Sequence, residues 1–468
     1  MFGLSSQAAM AILPTTVFVN NCDDISTNSD ATHGSLRWAS THVAAGGTID
    51  MTAIPCSLIS LQTGSITLAQ NDLKILGPGM TNLTVSAKLT ANNNKYYMKD
   101  RIFNHTGTGT LKIYNLTVNK GYIKSASGTA KGGCIYSTGT VSLDHVGAYS
   151  CKVLTDSGTA LGGAIGAQGD VGLSYSIVSN SSANSGATGF SRGGGVYALG
   201  SLTSVDSTIK YNQATGAAST YHGSGGGLYV KGTVLVLGST ISSNTATFRA
   251  GGALFGSSTP AAQVSLIDST ISGNSSSTYV GGLYCNAATT NLWSSTVAFN
   301  TAAKGKTSGG TKYYSPGFAT SSSFGSMYIS LKSSLLSNNT YGTTEKDLTT
   351  VDGFIGPTNV TTFNASAPNV VRQPKLGGLG NLPAGTITGL CPLLGSLRDN
   401  GGPTQTHALL SRSIAINAGT NPFSLDNYDQ RGAPYLRPDS LSGVSDIGAY
   451  EVQPDIAFNT DFETCPAL

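Results

Sequence analysis

Residues 225–246 read GGGLYVKGTVLVLGSTISSNTA, and residues 193–214 read GGGVYALGSLTSVDSTIKYNQA. Both carry three glycines, an alternating apolar run, a Ser-Thr-Ile triplet and a closing asparagine, at the same spacing. A segment that recurs with its spacing intact is one layer of a stack. Periods of roughly 20 to 50 residues mark solenoids, propellers and other arrays.

Aligned on the asparagine, one column runs Asn180, Asn212, Asn244, Asn274, Asn300 and Asn338, with Cys151 in the layer before it. Three residues upstream of each stand Ala148, Ile177, Ile209, Ile241, Ile271, Val297 and Leu335. Farther upstream, Val141, Val171, Leu202, Val234 and Val264 alternate with Leu143, Leu173, Ser204, Val236 and Leu266. A small-residue column precedes these: Cys134, Ala164, Gly195, Gly227, Ala253 and Gly282. Apolar alternation with period two is strand, not helix. The strands are too short, and glycine too frequent, for a propeller blade. Short strands, tight corners and like residues in columns describe an all-β fold, a single parallel β-helix (solenoid), of roughly twelve coils at ~4.8 Å per coil. Inward Val, Ile and Leu fill the tube, and glycine or asparagine supplies the corners. Asparagines stacked in one corner bond as a ladder. Inserts such as 214–225 are expected to bulge from one edge as loops.

An open tube end exposes unpaired strand edges. GSLRWASTHVAAG (34–46) places Leu36, Ala39 and Val43 on one helical face, which predicts an N-terminal helical cap. The polar stretch from Asn400 to Glu451 is expected to be the C-terminal cap. The organisation is then a tail at 1–16, N-terminal cap and first coils at 17–106, and repeats at 107–342. Last coils and C-terminal cap module follow at 343–452, then a tail at 453–468. Ala9-Met10-Ala11 fits either the end of a signal peptide or a random apolar start.

Composition excludes several classes. Sixty glycines in 468 residues lack the strict period of collagen, and 39% hydrophobic residues are too many for a disordered chain. A net charge of +3 gives no electrostatic reason for a nucleic-acid partner, and no run is long and apolar enough for a transmembrane segment. Seven cysteines lie singly, with no C-x-x-C pair for zinc. Local pairing gives Cys22–Cys56, Cys134–Cys151 and Cys391–Cys465 with Cys285 left over, which suits an oxidising compartment; buried free thiols are the alternative.

Little in the sequence points to catalysis. Glycan-cleaving sites bring two or more acids together. Asp144-His145 stands in a slot held elsewhere by Ser or Asp, as in Asp206-Ser207 and Asp268-Ser269, so no acidic cluster builds up. Asp23 and Asp24, with Asp30 nearby, offer oxygen ligands for calcium or simply an acidic turn. Tyr136, Tyr197, Tyr229 and Tyr284 fall in one column, either a stripe for stacking sugar rings or a packing device.

TVFVNNCDD, GSLRWA and GTIDM, followed by SLISLQTGSITLAQNDLKILGPGMTNLTVSA, resemble the N-terminal region of bacterial secreted and surface right-handed β-helix proteins. LGSLRDNGGPTQTHALLSRSIAINAG, DQRGAP and SDIGAYE look like the choice-of-anchor Q module, and the GGGLY…STISSN repeats are similar to polymorphic outer-membrane-protein repeats. The resemblance spans roughly residues 17 to 452. It implies a right-handed β-helix, secreted or at the cell surface, and assigns no catalytic residue. The expected function is therefore a non-enzymatic structural or adhesive protein that binds a glycan or a surface protein or assembles laterally with itself. The alternative is a polysaccharide lyase or glycoside hydrolase of the pectin-lyase-like type.

Overall fold

The computed structural model describes residues 13–454, apart from 27–32, 89–99, 187, 217–221, 257–261, 279, 304–305, 309–310, 314, 321–326, 351–360, 365–367, 377–380, 422–426 and 440. Short strands stack in parallel, rung on rung, into a 22-stranded sheet and an 11-stranded sheet that together enclose the core. Eleven strands in one ladder, from Ile66–Leu68 to Pro374–Lys375, make about ten turns, close to the roughly twelve coils expected. The register is exact through the repeats: Val141, Val171, Leu202, Val234 and Val264 pair in succession, and all are buried. Ser204, the polar member of the next inward column, is satisfied by Ser239 at 3.1 Å.

The asparagine ladder exists, with a correction at both ends. Asn212, Asn244, Asn274 and Asn300 are buried, and each accepts from the backbone N–H of the rung before it through Oδ1. The ladder then continues through Asn339 and ends on Asp347; at its start it passes through Ser181, whose Oγ accepts from Cys151 N–H at 3.1 Å. Asn180 and Asn338 are not in it. They hold the preceding corner position, with φ of 54° and 60°. Asparagine suits both places, since it tolerates the left-handed region and also bonds as a ladder, so the letter alone does not separate them. The same one-residue slip puts Val178, Leu336 and Gly252 where Ile177, Leu335 and Ala253 were expected.

The third glycine of the GGG motif now has a reason. A Cβ on Gly227 would lie 3.0 Å from the Asn244 amide, and the other asparagine rungs repeat this face-to-face pair. In the first repeat the pair is Cys134 and Cys151, joined as a disulfide (Cα–Cα 5.4 Å). A second disulfide links Cys22 to Cys56. Cys391 is also disulfide-bonded; Cys465, its expected partner, lies outside the described residues. Cys285 is a buried free thiol.

A second ladder went unseen in the sequence. One serine per rung accepts from the N–H of the rung before: Ser176, Ser207, Ser239, Ser269, Ser295 and Ser334 form one chain at 3.0–3.3 Å, and at 207, 239 and 269 that serine opens a Ser-Thr-Ile triplet. The Ile that closes the triplet fills the core, as at Ile209, Ile241 and Ile271. The Thr reaches outward, and its role depends on the C-terminal module.

The helix Leu36–His42 closes the N-terminal end. Ser35 caps it, accepting from Trp38 N–H, and Leu36, Trp38, Ala39 and Val43 are buried. Arg37 anchors it to Asp24 at 2.7 Å and to the Gly64 carbonyl at 2.7 Å. The C-terminal segment behaves differently from an end lid. It returns along the flank of the solenoid, touching successive rungs through the triplet threonines. Thr240 donates to Gln405 O, Thr270 to Gln430 Oε1, and Ala449 N–H donates to Thr296. An apolar seam of Ala298, Leu335, Val370, Leu394, Leu409, Ala415 and Ile447 lies beneath it. At the tube end itself, Leu376 and Leu382 pack against the core.

The inserts that follow the asparagine corner are not loose loops. Their strands stack into a 9-stranded and a 4-stranded ladder, which form a fin beside the tube with a small core of its own at Ala130, Val153, Ala160 and Ala183.

Candidate functional site

The angle between the fin and the 11-stranded sheet holds a groove of about 470 Å³. Outward side chains of the sheet, Tyr229, Lys231, Leu254 and Tyr284, form one wall. The returning strands of the fin form the other, with Phe190, Arg192, His222, Phe248 and Arg249. Arg192, Ser224 and Arg249 occupy one column, paired rung to rung, so the two arginines stand two rungs apart, ~9.6 Å along the axis.

Each arginine guanidinium lies over two rings. The Arg192 guanidinium carbon is 5.2 Å from the centroids of both Phe190 and Tyr229. That of Arg249 is 4.6 Å from Phe248 and 5.1 Å from Tyr284. His222 stacks on Phe190 at 5.5 Å. A guanidinium near an aromatic face is attracted to it, so the arginines and the rings of this groove hold one another in place. Among the described residues lining the groove there is no carboxylate. The segments 217–221 (AASTY) and 257–261 (SSTPA), which adjoin lining residues in sequence, contain none either.

The tyrosine column survives in register but not as an open stripe. Tyr197 and Tyr284 are buried at 4% exposure each, and Tyr197 stacks on Tyr229 at 5.7 Å. Tyr136 is half-buried, with Arg101 5.2 Å from its centroid; Gly166 and Leu254 interrupt the column. The open surface comes instead from Phe190, 40% exposed, and half-buried Tyr229 and His222. Sequence reasoning missed Phe190, Arg192, Phe248 and Arg249. Arg192 precedes a GGG-type corner, and Phe248-Arg249 a GG one, a signal visible only once the corners were known to face the sheet.

The other candidate chemistry resolves as structure. Asp144 and His145 make an exposed contact of 2.6 Å on a corner, with His145 stacked on Tyr175 at 4.9 Å. Asp144 pairs in register with Tyr114 and Ser174 rather than with an acid, while the Tyr175 hydroxyl donates to Asp206, and Asp206 and Asp144 raise its pKa. Asp206 and Asp268 hold the left-handed corner one place later, at φ of 47° and 42°, the position of His145 rather than of Asp144. Burial would raise Asp24, but Arg37 and the Gln62 and Thr63 amides hold its carboxyl below the usual range. Those donors fill its oxygens, and Asp30 lies outside the described residues.

The motifs DQRGAP and SDIGAYE converge in a buried ionic lock. Arg437 bonds Asp268 of the solenoid at 2.5 Å and Glu451 at 3.2 Å, and Arg431 bonds Asp429 at 2.6 Å. Burial pushes Asp446 up to about 6 and Glu451 up to about 7. These residues hold the module to the tube, and each is saturated by partners.

No family profile and no curated protein matches the chain. A solved structure does. It is described as the crystal structure of pectate lyase Pel9A, aligned over 94% of this chain and 97% of that one, with a TM-score of 0.36 and 13% identity. Both values lie too low to carry an activity or a substrate across. No helix among the described residues is long and apolar enough to cross a membrane.

Proposed function

We propose that this chain is an exported, non-enzymatic β-helix protein that holds a glycan in the groove between fin and sheet. The observation that carries the reading is the aromatic lining of the groove, where Phe190 is 40% exposed beside half-buried Tyr229 and His222, with Arg192 5.2 Å from the Phe190 and Tyr229 centroids. Aromatic faces take the apolar faces of sugar rings, while fixed polar groups orient them. The absence of a carboxylate from the described lining argues against two-acid glycosidase chemistry there, and no further observation favours a lyase. Two closed disulfides agree with an oxidising space. Surface attachment through a choice-of-anchor Q type module, recognition of a surface protein and lateral self-assembly belong to the same proposal, supported by the resemblance of the end motifs and the repeats.

The test is a titration of the full chain against a panel of soluble oligosaccharides, with Phe190→Ala and Tyr229→Ala beside the wild type. Binding that either variant weakens about tenfold or more, with unchanged chain length of the bound polymer after prolonged incubation, supports the proposal. Binding that neither variant alters, or steady depolymerisation, overturns it.

A further inference from the structure

We infer that the outer face of the fin carries a second ligand site, one that takes an uncharged, extended glycan lying along the solenoid axis. It shares no lining residue with the groove between fin and sheet, and the inference does not rest on the reading of that groove. A groove of about 540 Å³ runs over the 9-stranded ladder. Gln213, Thr245, Ser275, Thr301 and Thr340 form its main column, paired in register from each rung to the next. They alternate along their strands with Ala214, Ala246, Ser276 and Ala302, which are buried, so the column faces outward. Its five rungs span ~19 Å at ~4.8 Å per rung.

Two observations point to a ligand. The side-chain hydroxyls of Thr245, Ser275, Thr301 and Thr340 and the Gln213 amide bond to no described residue of the protein. Ser276 also lines the groove, is 5% exposed, and its Oγ has no hydrogen-bond partner. Buried hydroxyls are normally paired, so this one is left for a group that enters the groove. The chemistry of the lining selects that group. Each hydroxyl both donates and accepts, and no described lining residue is charged. Sugar hydroxyls match such a surface, whereas an acid or an amine would find no countercharge. Threonine methyls and Ala303 offer apolar contact to the C–H faces of the rings. The spacing then sets the ligand's shape. Hydroxyls that repeat in a straight column at ~4.8 Å, about one sugar of an extended chain, meet a β-linked glycan ring by ring and a coiled α-linked one only locally. No covalent step is involved.

The experiment is calorimetric titration of the full chain with cellohexaose, xylohexaose and maltohexaose, the first two extended and the third coiled. The expected result is that an extended oligomer binds at least about tenfold more tightly than maltohexaose, with the same affinity at ~0.05 and ~0.5 M salt. Thr245→Val and Thr301→Val keep the side-chain shape and the strand preference but remove the hydroxyl. Each should weaken binding about three- to tenfold, the loss of one hydrogen bond, and the double variant more than either. Thr301→Ser, which restores the hydroxyl, should retain binding. Unchanged thermal unfolding of the variants shows that the fin still folds. Phe190→Ala and Tyr229→Ala, in the other groove, should leave this binding as it is. Full affinity in the double valine variant, equal binding of extended and coiled oligomers, binding that falls with salt, or no binding of any of the three overturns the inference. If the valine variants bind fully while Phe190→Ala does not, this site falls and the groove between fin and sheet stands; the reverse pattern removes that groove and keeps this site.

Discussion

Replacing Asn244 with alanine tests the ladder where it is most closely defined. The Asn244 Oδ1 accepts from Asn212 N–H at 2.9 Å and from Asn212 Nδ2 at 3.0 Å. Its Nδ2 donates to Ile209 O at 2.9 Å and to Asn274 Oδ1 at 2.9 Å. Asn212 and Asn244 are buried, at 1% and 0% exposure. Alanine therefore removes the partner of two Asn212 donors and one carbonyl contact inside the tube. At ~1–3 kcal/mol for each buried group left unsatisfied, and with room opened beside Gly227 for one water, the loss comes to ~3–5 kcal/mol. Asn180 supplies the control. It is exposed, its amide donates to Ser179 Oγ, and its φ is 54°. Asn180→Ala should cost only the left-handed preference, ~1 kcal/mol, and Asn180→Gly close to nothing. Urea unfolding followed by the fluorescence of Trp38 and Trp293 measures both. Hydrogen exchange at the Asn212 amide reports the rung itself, since a solenoid need not unfold in a single step. If Asn244→Ala and Asn180→Ala lie within ~1 kcal/mol of each other, the side-chain ladder is not what holds these rungs together.

Two further outcomes follow from the site and the fold. His407 is buried between Ser272 Oγ and Gly395 O, and burial lowers it to about 4. A histidine whose folded value lies below its unfolded one near 6.5 stabilises above that value, and this is lost as pH falls from 6.5 toward 4, by up to ~3 kcal/mol. His407→Gln should flatten that limb. Asp446 and Glu451, raised to about 6 and about 7, work in the opposite direction, so the difference between wild type and variant is the readout, and equal slopes would sink the assignment. The Cys134–Cys151 bond closes a 17-residue separation. Replacing both with alanine should cost ~2–3 kcal/mol, and alkylation in denaturant without reductant should tag one thiol, Cys285; several tagged thiols would contradict the pairing.

The groove was legible only in part. Tyr229 and Tyr284 were found because they recur at a fixed place after a corner, and stacking turns recurrence into adjacency. Arg192 and Arg249 lie in the inserts, whose lengths vary from rung to rung, so no column in the sequence joins them to the tyrosines. Their meeting depends on the inserts stacking into a fin whose returning strands face the sheet.

By itself the sequence determined the rung. A parallel stack repeats every local choice at one strand spacing, so alternating valines, corner glycines and the Cys134–Cys151 pair are readable as columns, and the N-terminal helix by its apolar face. Tertiary structure decided what local periodicity does not encode. Asn180 and Asn338 fell one place short of the ladder because asparagine suits the corner and the rung equally, and only the register separates the two. The C-terminal module lies on the flank because Thr240, Thr270 and Thr296, polar and outward on successive rungs, meet partners 150 or more residues away in the chain. Contacts between distant segments leave no period in the sequence, and the groove, like the module, is made of them.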